Sequence, residues 1–327
     1  MQNVTKKLTW IDWMKAISMY LIIAGHCNVP GAKYIWVFCV PCFFLISGFL
    51  SKKENDTNIF VKKILWNLMA PMALLYLLDL LWSICLSMLS GTYETEMIWH
   101  RTMNALMGYH GIGHQFYGLG VLWFVYTLII CKILLQLIPK TKEVFSLSVL
   151  SIIMLIVSVA FNDVLANKFN AVINVLLAFP FFSIGYLLKP IKNHLPLINY
   201  WIISVMLIFG IIGVGFCGKN NEEVVFFNCS YGSNLLLCLL GGISGTVLVF
   251  AVSYLCKSQL NAVISIMGGG TLLVLGLQFN VMFLISYFIT FEGYWRYLEA
   301  LLVYLLFIPF IVFVKRYISV LYGKYRQ

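Results

Sequence analysis

The chain has 327 residues, of which 61% are hydrophobic and only 10% charged, with a formal net charge of +10 and a mean hydropathy of +0.92. A soluble domain needs a polar exterior around its core and carries about 25% charged residues. These figures exclude a soluble enzyme, a disordered chain and a secreted disulfide scaffold, and they leave a polytopic membrane protein.

The apolar stretches are long and continuous. They read as α-helices, which satisfy their own backbone polar groups where lipid cannot. A β-barrel would show short alternating segments instead. Ten spans are expected, near 9–28, 34–50, 65–89, 117–138, 144–161, 170–188, 200–217, 234–255, 263–289 and 297–314. The expected fold class is therefore all-α and polytopic, with residues 1–327 forming a single integral membrane domain. The first span carries Asp12 and Lys15 and lacks a small-residue cleavage site, so it does not read as a cleaved signal peptide.

Placed on these spans, 15 of the 22 Lys and Arg residues fall on the side of the N-terminus, from Lys6 and Lys7 to Lys324 and Arg326. Five fall on the other side: Lys33, Arg101, Lys168, Lys219 and Arg296. Lys15 and Lys132 sit within spans. The positive-inside rule then puts both termini in the cytoplasm. The expected location is the bacterial inner (cytoplasmic) membrane. The positive charge is thus a topology signal; membrane lipid is an expected partner and nucleic acid is not.

The first span holds three polar groups of interest, Asp12, Lys15 and His26. Asp12 and Lys15 are three apart, share a helix face and can pair; a lysine there can equally snorkel to the interface. His26 follows Lys15 by eleven residues, about 16 Å along a helix, which carries it toward the opposite rim. A neutral imidazole can take a proton from a hydroxyl near neutral pH. The simpler alternative is an interfacial histidine bonded to backbone.

The second span contains the run from Phe38 to Phe49. Pro41 favours a kink there, and Ser47-Gly48 lets another backbone approach closely. Cys39-Val40-Pro41-Cys42 spells a CxxC, but in an apolar helix with no βαβ unit, so neither redox chemistry nor a metal site is expected. Two outer segments are long enough to carry function. Residues 90–116 hold His100, His110 and His114, with Trp99, Tyr109 and Phe116 and, directly after them, Tyr117; residues 218–233 hold Glu222 and Glu223. Surface roles are the simpler reading of these histidines. The aromatic residues suit either sugar stacking or an interfacial belt.

Ile11-Asp12-Trp13-Met14-Lys15-Ala16, then Gly25-His26, then Pro41-Cys42-Phe43-Phe44-Leu45-Ile46-Ser47-Gly48-Phe49 resemble the membrane acyltransferase 3 family. Leu122-Trp123-Phe124-Val125, Phe179-Pro180-Phe181-Phe182 with Gly185-Tyr186, and Gly270-Thr271-Leu272 extend the resemblance over nearly the whole chain. It implies an integral membrane O-acyltransferase, often an O-acetyltransferase, that moves an acyl group from acyl-coenzyme A to a hydroxyl of a surface or lipid-linked glycan. Such enzymes serve polysaccharide O-acetylation in the cell envelope. Acyl-coenzyme A, often acetyl-CoA, is then a donor substrate, and no permanently bound cofactor is implied.

The resemblance makes His26 the general base, with Asp12 as a second catalytic residue. It assigns Lys15, Lys62 and Lys63 to the coenzyme phosphates, and Cys39, Ser47, Trp123 and Gln278 to the substrate pocket. The family often has histidine where this chain has Cys39, and again where it has Gln278. Glutamine hydrogen-bonds but does not exchange a proton as imidazole does. The competing reading is a transporter or flippase of a lipid-linked glycan without acyl transfer. Ten spans, an intramembrane Asp–Lys pair and a kinked helix fit that reading as well.

Overall fold

The computed structural model describes residues 8–91, 95–109, 118–165, 170–193, 195–318 and 320–321. It is about 81% helical, and no strand occurs among the described residues. The helices are, in order, α1 (Thr9–His26), α2 (Ala32–Trp36), α3 (Cys39–Leu50), α4 (Thr57–Ile64), α5 (Ala70–Ser90), α6 (Thr95–Leu106), α7 (Trp123–Leu137), α8 (Glu143–Ala160), α9 (Asn162–Leu165), α10 (Val175–Leu187), α11 (Tyr200–Asn220), α12 (Leu235–Leu255), α13 (Asn261–Gly269), α14 (Thr271–Phe288) and α15 (Arg296–Tyr317).

Nine stretches among the described residues are long and apolar enough to cross a membrane, running from Ala32–Leu50 to Gly293–Tyr317. This is the all-α polytopic architecture expected from composition. The first expected span, α1, is not among them. It has 18 residues, but Asp12, Lys15 and His26 dilute its apolar character. It packs instead against α3, α12, α13, α14 and α15. Polar groups on a membrane helix are tolerated in such a place, because they face protein or a cavity rather than lipid.

Three contacts set the direction of the neighbours of α1. Trp10 meets Phe49 edge-on with ring centroids 5.6 Å apart, so α3 runs antiparallel to α1. Thr9 Oγ1 donates to the Lys257 carbonyl at 2.7 Å, which brings the end of α12 to the same side. Arg296, the first residue of α15, donates to the carbonyls of Cys27 and Asn28 at 3.3 Å. α15 therefore returns along α1, and the start of α1 and the end of α15 lie on one side of the bundle, called proximal below.

Two expectations change at this level. Pro41 does not kink a continuous span. The second span is broken into α2 and α3, and Pro41 falls in the first turn of α3, where a backbone N–H lacks a helical partner anyway. Residues 90–116 are not all surface loop either. α6 folds back along α5, with Arg101 4% exposed and its guanidinium 2.5 Å from the Asp79 carboxylate. Asn280 on α14 donates to the other Asp79 oxygen at 3.4 Å. Arg101, read from sequence as an outer topology charge, is thus the counter-charge of an acid inside a span, where an unpaired carboxylate would be costly.

Candidate active site

A cavity of about 1470 Å³ opens between α1, α3, α7, α13, α14 and α15. On α1 its wall is Asp12, Lys15, Met19, Ile22 and His26. These positions alternate in steps of three and four, so one face of the helix lines the cavity from end to end. Asp12 and His26 are fourteen residues apart, about 21 Å along the axis, and cannot share a proton directly.

The cavity is polar at both ends and apolar between. The proximal end holds Asp12, Lys15, Ser47, Lys132, Ser265 and Lys315. Asn67, from the wide π-helical turn Leu65–Met69 that joins α4 to α5, also lines the wall. Such turns occur often at functional sites because they redirect one side chain. Met19, Ile22, Val40, Phe43, Leu128 and Leu275 form the middle. The distal end holds His26, Asn28, Trp36, Trp123, Glu223 and Glu299.

His26 is held by ring contacts. Its imidazole lies edge-to-face with Trp36 at 4.9 Å and with Phe279 at 4.7 Å, and it makes no hydrogen bond among the described residues. Gly25 explains the close approach of Trp36, since a Cβ there would lie 2.5 Å from the indole. At the proximal end Gly268 on α13 passes over Asp12; a Cβ on it would lie 2.9 Å from the Asp12 Cα. The Lys132 ammonium donates to Ser51 Oγ at 2.8 Å, and the Ser51 hydroxyl in turn donates to the Ser47 carbonyl at 2.7 Å.

Of the residues expected from sequence, Asp12, Lys15, His26, Ser47 and Trp123 meet on this one cavity. Cys39, Lys62, Lys63 and Gln278 do not line it. Cys39 is fully buried in α3. Lys62 is exposed on α4, and Lys63 pairs with Glu54 at 2.8 Å. Gln278 is fully buried, and neither its amide oxygen nor its nitrogen has a hydrogen-bond partner among the described residues. His100 is exposed, while His110, His114, Phe116 and Tyr117 lie outside the described residues.

Sequence reasoning passed over Lys132, Lys315, Asn67 and Glu299 as site residues. A signal existed for Lys132, because an isolated lysine within an apolar span is a functional hypothesis by default. Lys315 had been absorbed into the topology charge.

No group of three His, Cys, Asp or Glu side chains converges among the described residues, and all nine cysteines are free thiols. In the loop behind the cavity wall, burial pushes the Cys229 thiol up to about 12, so it stays protonated near neutral pH.

The family model described as an acyltransferase domain, acyltransferase 3, matches residues 8–319. The chain is a member of this acyltransferase family. No curated protein and no solved structure matches it. The acyltransferase transfers groups other than aminoacyl groups. Its motifs divide between two tasks. Trp123-Phe124-Val125 and Thr271-Leu272 line the cavity. Phe179, Phe181 and Phe182 are instead fully buried in α10, which packs against α3. The acyltransferase therefore has an imidazole at one end of a continuous cavity and ammonium groups at the other.

Proposed function

We propose that the protein is an integral membrane O-acyltransferase that moves an acyl group, acetyl in the simplest case, from acyl-coenzyme A to a hydroxyl of a surface or lipid-linked glycan. One observation carries the reading: a single face of α1 joins a lysine-bearing end of the cavity to His26. With the proximal side cytoplasmic, as the distribution of Lys and Arg favours, acyl-coenzyme A enters there and leaves its phosphates near Lys15. The pantetheine arm passes the apolar middle and brings the thioester toward His26. Lys62 and Lys63, away from the cavity, have no part in this step.

At the distal end His26 takes the proton of the acceptor hydroxyl. The oxygen attacks the thioester carbonyl, the C–O bond forms and the C–S bond breaks. The departing coenzyme thiolate takes up the proton from the imidazolium, which restores the neutral base. Trp36 and Trp123 offer flat faces to a sugar ring, and Asn28, Glu223 and Glu299 offer hydrogen-bonding groups to its hydroxyls. Asp12 acts at the donor end, beside Lys15 on the same helix face, and not on His26.

The test uses the intact protein in vesicles, with labelled acetyl-CoA and extracted glycan. His26→Gln and His26→Ala should lower transfer by roughly a hundredfold or more while the protein stays folded in the membrane. Full transfer in either folded variant would end the general-base assignment.

A further inference from the structure

We propose that Lys132 is an anion-binding residue of the donor site, its ammonium taking a phosphate of the donor at the proximal end of the cavity. The inference rests on the donor reading above and deepens it.

Lys132 lies within the apolar helix α7 and lines the cavity. Its ammonium has three donors. Among the described residues only one is used, toward Ser51 Oγ at 2.8 Å, and no carboxylate pairs with it. Lys53 and Lys63, on the same side, are neutralised away from the cavity. Lys53 pairs with Glu143 at 3.1 Å and also donates to the Ile138 carbonyl. Glu143 is occupied further by the Tyr186 hydroxyl at 3.1 Å. Lys189, within electrostatic reach of Lys132, lies over the Tyr186 ring at 3.6 Å. Lys63 has Glu54.

Ser51 decides where the Lys132 ammonium points. Its own hydroxyl hydrogen is committed to the Ser47 carbonyl at 2.7 Å, so its lone pairs are left for Lys132. That anchor holds the ammonium on the cavity wall instead of letting it snorkel to the surface. Lys15 and Lys315 line the same end from α1 and α15, and Asp12 is the one carboxylate lining it among the described residues. A neutral ligand would leave the Lys132 ammonium without a counter-charge in a low-dielectric setting. A phosphate brings both the counter-charge and the acceptors, and lysine meets it as a point charge.

Initial rates of the intact protein in vesicles, with acetyl-CoA and with acetyl-pantetheine, separate phosphate binding from a structural tie between α7 and α3. Both donors carry the same thioester arm, but the second has no phosphate. Lys132→Met should raise the KM for acetyl-CoA roughly ten- to hundredfold and leave that for acetyl-pantetheine within about twofold, and Lys132→Arg should recover most of the difference. Equal losses on both donors, or an unchanged KM for acetyl-CoA, would overturn the inference. Should Lys132→Met not reach the membrane, Ser51→Ala removes the anchor and keeps the charge; it should weaken acetyl-CoA selectively, and no selectivity there overturns the inference equally. Failure of the intact protein to use either donor would instead overturn the donor reading, and this inference with it.

Discussion

Gly48 on α3 and Gly185 on α10 hold each other's helix at backbone distance. A Cβ on Gly48 would overlap the Phe182 carbonyl oxygen, and a Cβ on Gly185 would overlap that of Leu45. Each glycine thus sits against the residue one turn before the other. In lipid, helices associate through such close packing of small residues, because the apolar surroundings supply no hydrophobic drive. The same helix α3 presents Val40, Phe43 and Ser47 to the cavity, so this seam also positions one wall of the site.

Gly48→Ala and Gly185→Ala should each part the seam and cost about 1–3 kcal/mol, the usual range for overpacking. Thermal unfolding in detergent reads the loss. Because both substitutions open one seam, the double variant should lose clearly less than the sum of the two. Strict additivity would mean that the two glycines do not share a contact.

Gly25→Ala should act on the site rather than on the fold. The new methyl would meet the Trp36 indole at 2.5 Å, and Trp36 is one of the two rings that hold His26. A displaced imidazole should slow transfer by about tenfold or more, since small misplacements of a reacting group are costly. Membrane insertion and melting temperature should change little. Unchanged transfer would show that Trp36 does not position the base.

Arg101→Met should destabilise the bundle by about 2–3 kcal/mol, somewhat below the range for a fully buried pair because Asp79 is part exposed. The carboxylate would lose its counter-charge and keep only Asn280 at 3.4 Å. Asp79→Asn added to Arg101→Met should restore most of the stability, because no buried charge is left unpaired. A double variant as weak as the single one would contradict the pairing.

Gln278→Leu should raise stability by about 1 kcal/mol, because the buried amide spends no hydrogen bond among the described residues to offset its desolvation. Transfer should persist, since Gln278 is not on the cavity wall. A stable but inactive Gln278→Leu protein would place the amide on the substrate path after all.

The sequence by itself determined the class of the molecule and the importance of its first helix. Sixty-one per cent hydrophobic residues can be housed only by lipid-facing helices, which is a statement about area and needs no coordinates. That Asp12 and Lys15 share a face follows from local helix geometry, as does the separation of Lys15 from His26. The acyltransferase motifs were equally legible.

Only the tertiary structure decided which charges line the cavity. In the sequence Lys63 lies just before an apolar span and Lys132 within one, and neither position says what the ammonium meets. One faces Glu54 outside the cavity, and the other is anchored by Ser51, 81 residues away, on the cavity wall. Arg101 needed Asp79 beside it before it could be told from a loop charge. Cys39 and Gln278 likewise left the cavity only when α3 and α14 were set among their neighbours. A charge or a polar group in a membrane helix can snorkel, pair or face a cavity. The choice depends on partners brought together from distant parts of the chain, and helix periodicity carries no information about them.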